Sequence, residues 1–447
     1  MSNGPNHQLA EQLSPLSEHE ALVESNRCLY CFDAPCTQAC PTHINVPGFI
    51  KKIATGNLKG SARTILESNL IGATCARVCP VQELCEGACV LKSEHKPIMI
   101  GRLQRHAMDY IYRNRIKVFP YVPATGHRIA VIGAGPAGLS CAGELARCGH
   151  AVTVFEKRQL GGGLSTHGII VLREPVPVAL SEVEMIASLG VNIINGVEVG
   201  TDLPFSELTR QFDAVFVGVG LGSTPLLGIP GEEHIEDGLT YIEQSKFNVE
   251  HIRGGRSVVV IGAGNTAIDC ATVARRTGAE LVTIVYRRTE REMTSYEHEY
   301  AFVKKEGVRF EFLSYPIAVQ LNGGRISGLE CVRMELGDSD SSGRPAPLPV
   351  PGSNFVLPAD QIIRAIGQQK TSIAAVAGLE LQKGFIKVDR QLRTNRPGIY
   401  AGGDCVRAKG AASTVMAVQD GKIAAAAIHE DLMRETKTTE PIGLANG

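Results

Sequence analysis

The spacing of apolar residues divides the chain into two regions of different character. Before about residue 128, apolar positions recur at helical spacing, as in VPGFIKKIATG and NLKGSARTILESN, and no run predicts a strand. Ser17 opens SEHE, a capping-box pattern that predicts the start of a helix, and Asn57 has the position of a second helix cap. The first region is therefore predicted to be a small helical domain.

The second region contains two copies of one pattern. HRIAVIGAGPAGLSCAGELARCGHAVTVFEK predicts a strand, a glycine turn, a helix and a strand, and GRSVVVIGAGNTAIDCATVARRTGAELVTIVYRR repeats this order about 129 residues later. A further strand-like run follows each copy, at 214–220 and 361–367. The predicted fold class is α/β, with the N-terminal helical domain followed by two Rossmann-like dinucleotide-binding domains.

Two polar segments interrupt this pattern. DSDSSGRPAPLPVPGSN is rich in proline and serine and predicts a surface loop in the second Rossmann-like domain. The last residues, ETKTTEPIGLANG after about Arg434, predict a disordered tail.

Composition and charge limit the classes of function. A net charge of -1 gives no reason to expect nucleic acid or an anionic membrane as a partner. The N-terminus lacks a signal pattern, and no apolar run reaches the roughly 18 residues of a membrane helix, so a cytoplasmic protein is predicted. Eight of the 13 cysteines lie between Cys28 and Cys89. Since the cytosol keeps thiols reduced, this cluster indicates metal or redox chemistry rather than disulfides.

The first glycine turn has the full dinucleotide signature. Gly133, Gly135 and Gly138 form GxGxxG between a strand and a helix, and Glu156 ends the next strand. The first glycine makes the turn, the second lets a pyrophosphate approach the backbone, and the third lets helix and strand pack. Glu156 is suited to accept a hydrogen bond from a ribose hydroxyl, so this unit predicts dinucleotide binding.

The second glycine turn differs after its second strand. Gly262, Gly264 and Ala267 repeat the signature with the permitted alanine, but the acidic position is replaced by Arg287 and Arg288, with Arg291 beyond. Cations there suit a 2'-phosphate, which favours NADP(H) over NAD(H). The alternative is that these arginines only solvate the end of a strand.

A third element, IYAGGDC at 399–405, places Gly403 and Asp404 between a short strand and a helix. Together with the two Rossmann-like units it resembles the second flavin-binding segment of the two-dinucleotide flavoprotein disulfide-reductase class. That resemblance implies FAD on the first glycine unit, NADP(H) on the second, inserted one, and a discontinuous FAD domain. The FAD residues it implies are Gly133, Gly135, Ala137, Gly138, Glu156, Gly163, Leu164, Arg173, Gly403, Asp404 and Thr414. The NAD(P)H residues are Gly262, Gly264, Asn265, Thr266, Ala267, Arg287, Arg288 and Arg291.

Two of these positions depart from the family pattern. Around Arg173 the sequence reads STHGIIVLREPVP, where the family has a proline-containing segment that lines the flavin. Asn265 stands where relatives often have aspartate, and no acid or base role is assigned to it. No catalytic proton-transfer residue is predicted, because hydride transfer needs none.

The cysteine spacing favours iron-sulfur clusters. No CxxC or CxxxxC occurs after Cys89, so the dithiol chemistry of a disulfide reductase is disfavoured. The N-terminal groups read CxxCxxxxCxxxCP and CxxxCxxxxxCxxxC, with a single CxxC, whereas a zinc site of the knuckle type needs two. A CxxxCP ending is typical of ferredoxin-like clusters, in which the cysteine before proline commonly binds the other cluster. The residues alone offer eight cysteines for two clusters.

The motifs DAPCTQACPTHINVPGFI, GATCARVCP, LCEGACVL and IGRLQR resemble the N-terminal domain of dihydropyrimidine dehydrogenase and of the electron-input subunit of its bacterial two-subunit form. The glutamate synthase small subunit shares the layout, and the resemblance covers about residues 20–432. It implies one [4Fe-4S] cluster on Cys28, Cys31, Cys36 and Cys89. It implies a second on Cys40, Cys79, Cys85 and the amide oxygen of Gln104, which leaves Cys75 without a ligand role.

The resemblance also implies the domain bounds and the function. The expected domains are 1–118 for two [4Fe-4S] clusters, 119–240 with 358–435 for FAD, 241–357 for NAD(P)H, and a flexible tail at 436–447. Electrons would pass from NADPH through FAD and the clusters to a partner subunit with an FMN barrel and its own clusters, which reduces uracil or thymine. The alternatives are a glutamate synthase small subunit or a related ferredoxin:NADP oxidoreductase subunit, and a protein whose clusters only hold an assembly together.

Overall fold

The computed structural model describes residues 9–248, 252, 254–339, 343–407 and 413–439, and only the backbone of 435–439. The chain forms two compact units. The larger unit contains Leu13–Thr166, Val176–Leu221 and the described residues from Lys370 onward. The smaller unit contains His167–Pro175 and Gly222–Gln369, with the described residues up to Gln12.

The helices are α1 (Glu18–Asn26), α2 (Pro35–Gln38), α3 (Val46–Ala54), α4 (Leu58–Leu66), α5 (Gly72–Val78), α6 (Ile100–Arg113), α7 (Pro136–Arg147), α8 (Leu164–His167), α9 (Val176–Ala187), α10 (Phe205–Gln211), α11 (Gly238–Phe247), α12 (Asn265–Arg276), α13 (Glu297–Lys305), α14 (Ile373–Ala377) and α15 (Thr414–Thr439). The strands are β1 (Arg128–Ile132), β2 (Ala151–Glu156), β3 (Asn192–Asn195), β4 (Ala214–Val217), β5 (Glu236–Asp237), β6 (Ser257–Ile261), β7 (Leu281–Tyr286), β8 (Arg309–Phe312), β9 (Ser314–Asn322), β10 (Arg325–Ser339), β11 (Pro345–Pro349), β12 (Phe355–Pro358), β13 (Gln361–Arg364), β14 (Leu381–Gln382), β15 (Phe385–Ile386) and β16 (Ile399–Ala401).

The N-terminal part of the larger unit is helical, as predicted. Ser17 caps α1 with both hydrogen bonds of the capping box, and Asn57 Oδ1 accepts from Gly60 N–H at the start of α4. Among the described residues the first strand begins at Arg128. Phe49, Leu103 and other apolar side chains of α3, α4 and α6 form the buried core of this helical part.

The rest of the larger unit is a parallel sheet with the strand order β16-β4-β1-β2-β3. The central strands β1 and β4 are buried apart from Arg128 at the start of β1, and α7 is joined to α15 by the Ser140 hydroxyl, which donates to Val418 O at 2.8 Å. Glu182 on α9 joins this part to the helical part. Its buried carboxylate accepts from the N–H groups of Ala73 and Thr74 in the first turn of α5, where a negative charge is favoured.

The smaller unit holds the second parallel sheet, ordered β5-β13-β6-β7-β8, and an antiparallel sheet in which β10 pairs with β9, β11 and β12. The first and last strands of this parallel sheet in chain order, β5 and β13, lie outside residues 241–357, the range expected for the NAD(P)H domain. They join this sheet because β13 pairs with β6 and with β5. The unit therefore takes in Gly222–Gln369.

The proline-rich segment after Asp338 does not form the predicted loop throughout. Pro345–Pro349 is strand β11, antiparallel to β10, and residues 340–342 lie outside the described part. Pro345, Pro347 and Pro349 occupy alternate positions of β11. The other alternate positions, which include Leu348 and Val350, turn their N–H groups toward β10, and the Val350 N–H donates to Arg333 O on β10. The proline nitrogens therefore face away from β10, which is the position that an edge strand tolerates.

Two further expectations concern the C-terminus and membranes. The last helix, α15, extends to Thr439, so its backbone continues five residues past Arg434 into the segment expected to be a flexible tail; 440–447 lie outside the described part. Among the described residues, no helix combines the length and apolar character needed to cross a bilayer.

Candidate functional site

Cys28, Cys31, Cys36 and Cys89 line one cavity in the helical part. They come from three separate segments: the stretch after α1, helix α2, and the turn before Val90. The remaining wall is apolar, formed by Leu29, Pro35, Val46, Pro47, Ile50, Val90, Leu91, Ile98 and Ile100. An apolar shell of this kind suits a cluster that is held by thiolates.

Cys40, Cys79, Cys85 and Gln104 line a second cavity, and Cys75 lines it as well. Cys36 and Cys40 therefore border different cavities although only three residues separate them. Cys85 and Cys89 do the same. Among the described residues, no three His, Cys, Asp or Glu side chains are placed to hold a single metal ion, so the cysteines surround these cavities rather than meeting at a point.

The side chain of Gln104 has a fixed orientation. It lies buried on α6, and its amide nitrogen donates to Gly72 O at 2.7 Å. Because a carbonyl oxygen can only accept, the atom that faces Gly72 must be the nitrogen. The amide oxygen is left for the cavity that Gln104 lines.

Four of the thiols around the two cavities have a raised pKa, which favours their protonated form. Burial raises the pKa of Cys36 to about 11 and also raises the pKa of Cys28 and Cys85. The pKa of Cys79 is raised first by a hydrogen bond with Cys75 and then by burial. Binding of iron by Cys28, Cys36, Cys79 or Cys85 would therefore release a proton.

The first glycine turn leaves room for a phosphate at the start of α7. Gly133 has φ +95°, a backbone conformation that residues other than glycine rarely adopt. A Cβ at Gly138 would lie 1.9 Å from Gly133 O. Gly135 is the residue before the helix, so the free N–H groups of the first turn of α7 point to the place where a pyrophosphate would lie.

Glu156 forms hydrogen bonds within the chain in addition to the predicted ribose contact. Its buried carboxylate accepts from Ala134 N–H at 2.7 Å and from Arg158 N–H at 2.9 Å. The first of these bonds holds the glycine turn against the end of β2. Each of the two carboxylate oxygens keeps one free lone pair that can accept a hydrogen bond from a ribose hydroxyl.

A glycine loop closes over the same turn. Gly162 N–H donates to Ala134 O at 2.7 Å, and a Cβ at Gly163 would lie 2.8 Å from Gly135 Cα. The backbone of Gly163 and Leu164 therefore lies directly beside the glycine turn.

The Gly403–Asp404 turn completes this group. A Cβ at Gly403 would lie 3.0 Å from the Ala137 Cβ, so the turn packs on the first residues of α7. Asp420 on α15 accepts from Gly403 N–H at 2.8 Å and pairs with Arg407. The Asp404 carboxylate accepts no hydrogen bond from the described residues, and burial raises its pKa. A half-buried acceptor without a donor fits a ligand hydroxyl, as the FAD assignment requires.

The second glycine turn has the same construction in the smaller unit. Gly262 has φ +126°, and its Cβ would lie 2.2 Å from Ala365 O; Gly264 precedes α12, and Ala267 is buried. Thr266 follows in the first turn of α12. Asn265 Oδ1 accepts from Tyr296 N–H at 3.2 Å, so this amide holds the loop that follows β7.

The three predicted arginines have different surroundings. Arg287 and Arg291 are exposed after β7, whereas Arg288 is 2% exposed and its Nε donates to Pro345 O at 2.9 Å. The loop that follows Arg288 is fixed by a capping box, in which Thr289 and Glu292 form hydrogen bonds with each other. Arg287 and Arg291 have the exposure that a phosphate contact needs, and Arg288 anchors β11.

Arg173 lies in the smaller unit, which holds the second glycine turn rather than the first. Its guanidinium forms ion pairs with Asp269 on α12 and Glu299 on α13. The contact between Arg173 and a flavin, which the resemblance implies, stays a prediction.

Two family models match the chain. One is described as pyridine nucleotide-disulphide oxidoreductase and matches residues 127–421, more than half of the chain. The chain belongs to this family. The other model is described as dihydropyrimidine dehydrogenase domain II, 4Fe-4S cluster, and matches residues 6–116. This member of the pyridine nucleotide-disulphide oxidoreductase family is thus an oxidoreductase with a flavin or pyridine nucleotide and a 4Fe-4S cofactor, and the predicted fold class is confirmed.

Several curated proteins are similar over nearly the whole chain. The NAD-dependent dihydropyrimidine dehydrogenase subunit PreT of Escherichia coli is 35% identical over 431 residues, covering 96% of this chain and 98% of that protein. The glutamate synthase [NADPH] small chain of Halomonas elongata is 36% identical, covering 93% and 91%. The chain spans only 66% of the putative oxidoreductase AegA of E. coli and 60% of the NADP(+)-dependent formate dehydrogenase subunit beta of Moorella thermoacetica. The predicted resemblance is therefore confirmed.

Solved structures share the fold of this family. Mycobacterium tuberculosis FprA in complex with NADPH has a TM-score of 0.56 at 20% identity, covering 71% of this chain and 87% of that chain. T. acidophilum thioredoxin reductase has a TM-score of 0.54 at 21% identity, covering 68% and 98%.

Two residues that the sequence did not indicate contribute to these sites. Asp420 fixes the Gly403 turn, and Val415 lines the second cysteine cavity one residue after Thr414. Both lie on α15, and nothing in the sequence distinguishes them from the other residues of that helix.

Proposed function

We propose that the chain takes electrons from NADPH and delivers them, through FAD and two [4Fe-4S] clusters, to a partner subunit. Bound FAD would accept a hydride and release single electrons, and the larger unit contains both the first glycine turn and the two cysteine cavities. The residues proposed to hold FAD and NADPH are those named in the sequence analysis, with Arg173 and Arg288 the least suited, since other groups in the smaller unit already engage them.

One observation carries this proposal: the second cysteine cavity reaches the start of α15. Val415 lines that cavity, and the preceding Thr414 is a predicted FAD contact on the same helix whose Asp420 holds Gly403. The cluster on Cys40, Cys79 and Cys85 would therefore be the one nearer to FAD. The first cavity is bordered by Leu29 and Val90, which are 62% and 44% exposed, so its cluster would pass electrons to the partner.

The proposed partner is an FMN-barrel chain with clusters of its own that reduces uracil or thymine. The support is the match to PreT, which extends over 98% of that subunit. The match to a glutamate synthase small chain is of similar extent, so that function is the second candidate. The cytoplasmic location expected from the sequence stays a prediction.

Anaerobic purification followed by nucleotide titration tests the electron path. We expect one FAD and about eight irons per chain, and bleaching of the cluster absorbance when NADPH is added. Zinc in place of iron, or flavin that no nucleotide reduces, would contradict the proposal.

Reconstitution separates the two partners. The chain, mixed with an FMN-barrel pyrimidine reductase subunit, should support uracil reduction by NADPH, whereas a glutamate synthase large chain should not turn over with it. The reverse result would favour the second candidate and leave the electron path intact.

The ligand set of the second cluster can be tested with two variants. Cys75→Ala should keep both clusters, at a cost of about 1 kcal/mol for the truncated buried side chain, whereas Gln104→Leu should lose or destabilise one. Iron content and the EPR spectrum of the reduced protein measure this. If Cys75→Ala loses a cluster and Gln104→Leu does not, Cys75 is the fourth ligand.

The nucleotide preference should depend on the two exposed arginines. We expect Arg287→Ala and Arg291→Ala each to raise KM for NADPH about tenfold, because each would lose a charge-assisted hydrogen bond to the 2'-phosphate, while KM for NADH stays the same. NAD(P)H:ferricyanide reductase kinetics measure both constants. The exposed Arg256, which pairs with Glu280, provides the matched control as Arg256→Ala. Equal effects on NADPH and NADH would exclude a 2'-phosphate contact.

A further inference from the structure

Lys422 connects α15 to the loops that surround the second cavity. Its Nζ donates to Ser68 O at 2.6 Å and to Thr42 O at 3.2 Å. Thr42 follows Pro41, and Ser68 precedes Asn69, and both Pro41 and Asn69 line the cavity. The ammonium group is therefore held one residue behind the cavity wall on two sides.

The neighbours of this ammonium compensate its charge only in part. In the part of the chain that the structure describes, Lys422 donates to two neutral carbonyl oxygens and forms no ion pair. The nearby Glu144 carboxylate is bound by Arg147 Nη1 at 2.9 Å. Burial lowers the pKa of Lys422, and Glu144 and the sulfur of Cys40 act against that shift. Thiolate ligands on iron would favour the charged ammonium further.

The cavity beside this charge is the one proposed to receive electrons first. One-electron reduction of a cluster there adds one negative charge, and a fixed cation stabilises that charge through Coulomb attraction, which is stronger in a poorly hydrated interior than in water. A cation outside the ligand set is one of the means by which a protein sets the potential of a cluster.

We propose that Lys422 is a positioning residue whose positive charge raises the reduction potential of the cluster bound by Cys40, Cys79 and Cys85. It acts on that cluster and leaves the cluster of Cys28, Cys31, Cys36 and Cys89 unaffected. This inference rests on the proposed function, since it requires a cluster in the second cavity.

An EPR-monitored titration of the purified full chain with dithionite as the electron donor tests the proposal. Lys422→Met should lower the equilibrium constant for reduction of the second cluster roughly tenfold, equivalent to about 59 mV for a one-electron couple. Lys422→Arg should restore most of the shift. The Cys36→Ala variant, which should retain only the second cluster, identifies its signal.

Lys52→Met is the matched control. Lys52 is another half-buried lysine of the helical part, its Nζ donates to the neutral Thr64 hydroxyl, and neither residue lines the second cavity. This variant should leave the potential of the second cluster unchanged.

The outcomes separate the inference from the function it rests on. An unchanged potential in Lys422→Met, with normal iron content or with a loss of iron or thermal stability alone, would show that Lys422 only fastens α15 to the loops. Equal shifts of both clusters would also overturn the proposal. Absence of cluster signals from the unmodified chain would instead contradict the proposed function.

Discussion

Cys36→Ala is expected to remove one cluster, and Cys40→Ala, four residues further along, is expected to remove the other. The variants should form two pairs, and the members of each pair are distant in sequence. Cys36 and Cys89 line the first cavity, whereas Cys40 and Cys85 line the second. Cys89→Ala should therefore resemble Cys36→Ala, and Cys85→Ala should resemble Cys40→Ala. Each variant should keep about four irons of about eight.

Iron and sulfide analysis and EPR of the dithionite-reduced proteins would show this pairing. Cys331, which is fully buried in the smaller unit, gives the control variant Cys331→Ala, which should keep all of the iron. NADPH should still reduce the remaining cluster in Cys36→Ala but reduce it far more slowly in Cys40→Ala, where the cluster nearer to FAD is missing. Identical spectra for Cys36→Ala and Cys40→Ala would contradict the two-cavity assignment.

Gly163→Ala is expected to yield a folded chain that has lost most of its FAD. The new Cβ would lie 2.8 Å from Gly135 Cα, which is backbone and cannot rotate away, and Gly163 has φ +59°. The glycine loop must then move away from the turn at the start of α7, where the pyrophosphate is expected. We expect FAD affinity to fall at least tenfold, which corresponds to about 1.4 kcal/mol or more.

Flavin absorbance per chain, with circular dichroism as the check on folding, measures this loss. Gly56→Ala provides the control, because Gly56 has a comparable φ of +74° but no atom within 4 Å of the added Cβ. It should cost about 1 kcal/mol in backbone strain and leave FAD binding unchanged. If both variants lose FAD alike, general destabilisation rather than the contact with Gly135 is responsible.

Local signals in the sequence were sufficient for most of the fold. The capping box at Ser17, the cap at Asn57 and the strand after residue 213 each depend on a few neighbouring residues, and all occur as predicted. The grouping of the cysteines was different, because residue spacing alone offered eight cysteines without dividing them. The proline after Cys40 separates that one cysteine, and only the family resemblance gives the full division; the structure brings the same two groups together around two cavities, with Cys75 also at the second.

What the sequence could not provide depends on distant partners. Pro345–Pro349 was expected in a loop because proline disfavours strands, yet pairing with β10 on one side only makes it an edge strand. Arg288 was grouped with Arg287, but β11 buries it through the Pro345 carbonyl. Neither outcome can be derived from adjacent residues, since each requires knowing which strand returns to that place.

The alternating prolines of β11 also determine what this edge can do. All three outward-facing positions of β11 are prolines, which have no N–H group. A strand from another molecule would therefore find carbonyl acceptors at this edge but no donors. The edge therefore cannot act as a template for strand addition. We expect that this chain can reach high concentration without sheet-to-sheet aggregation through β11.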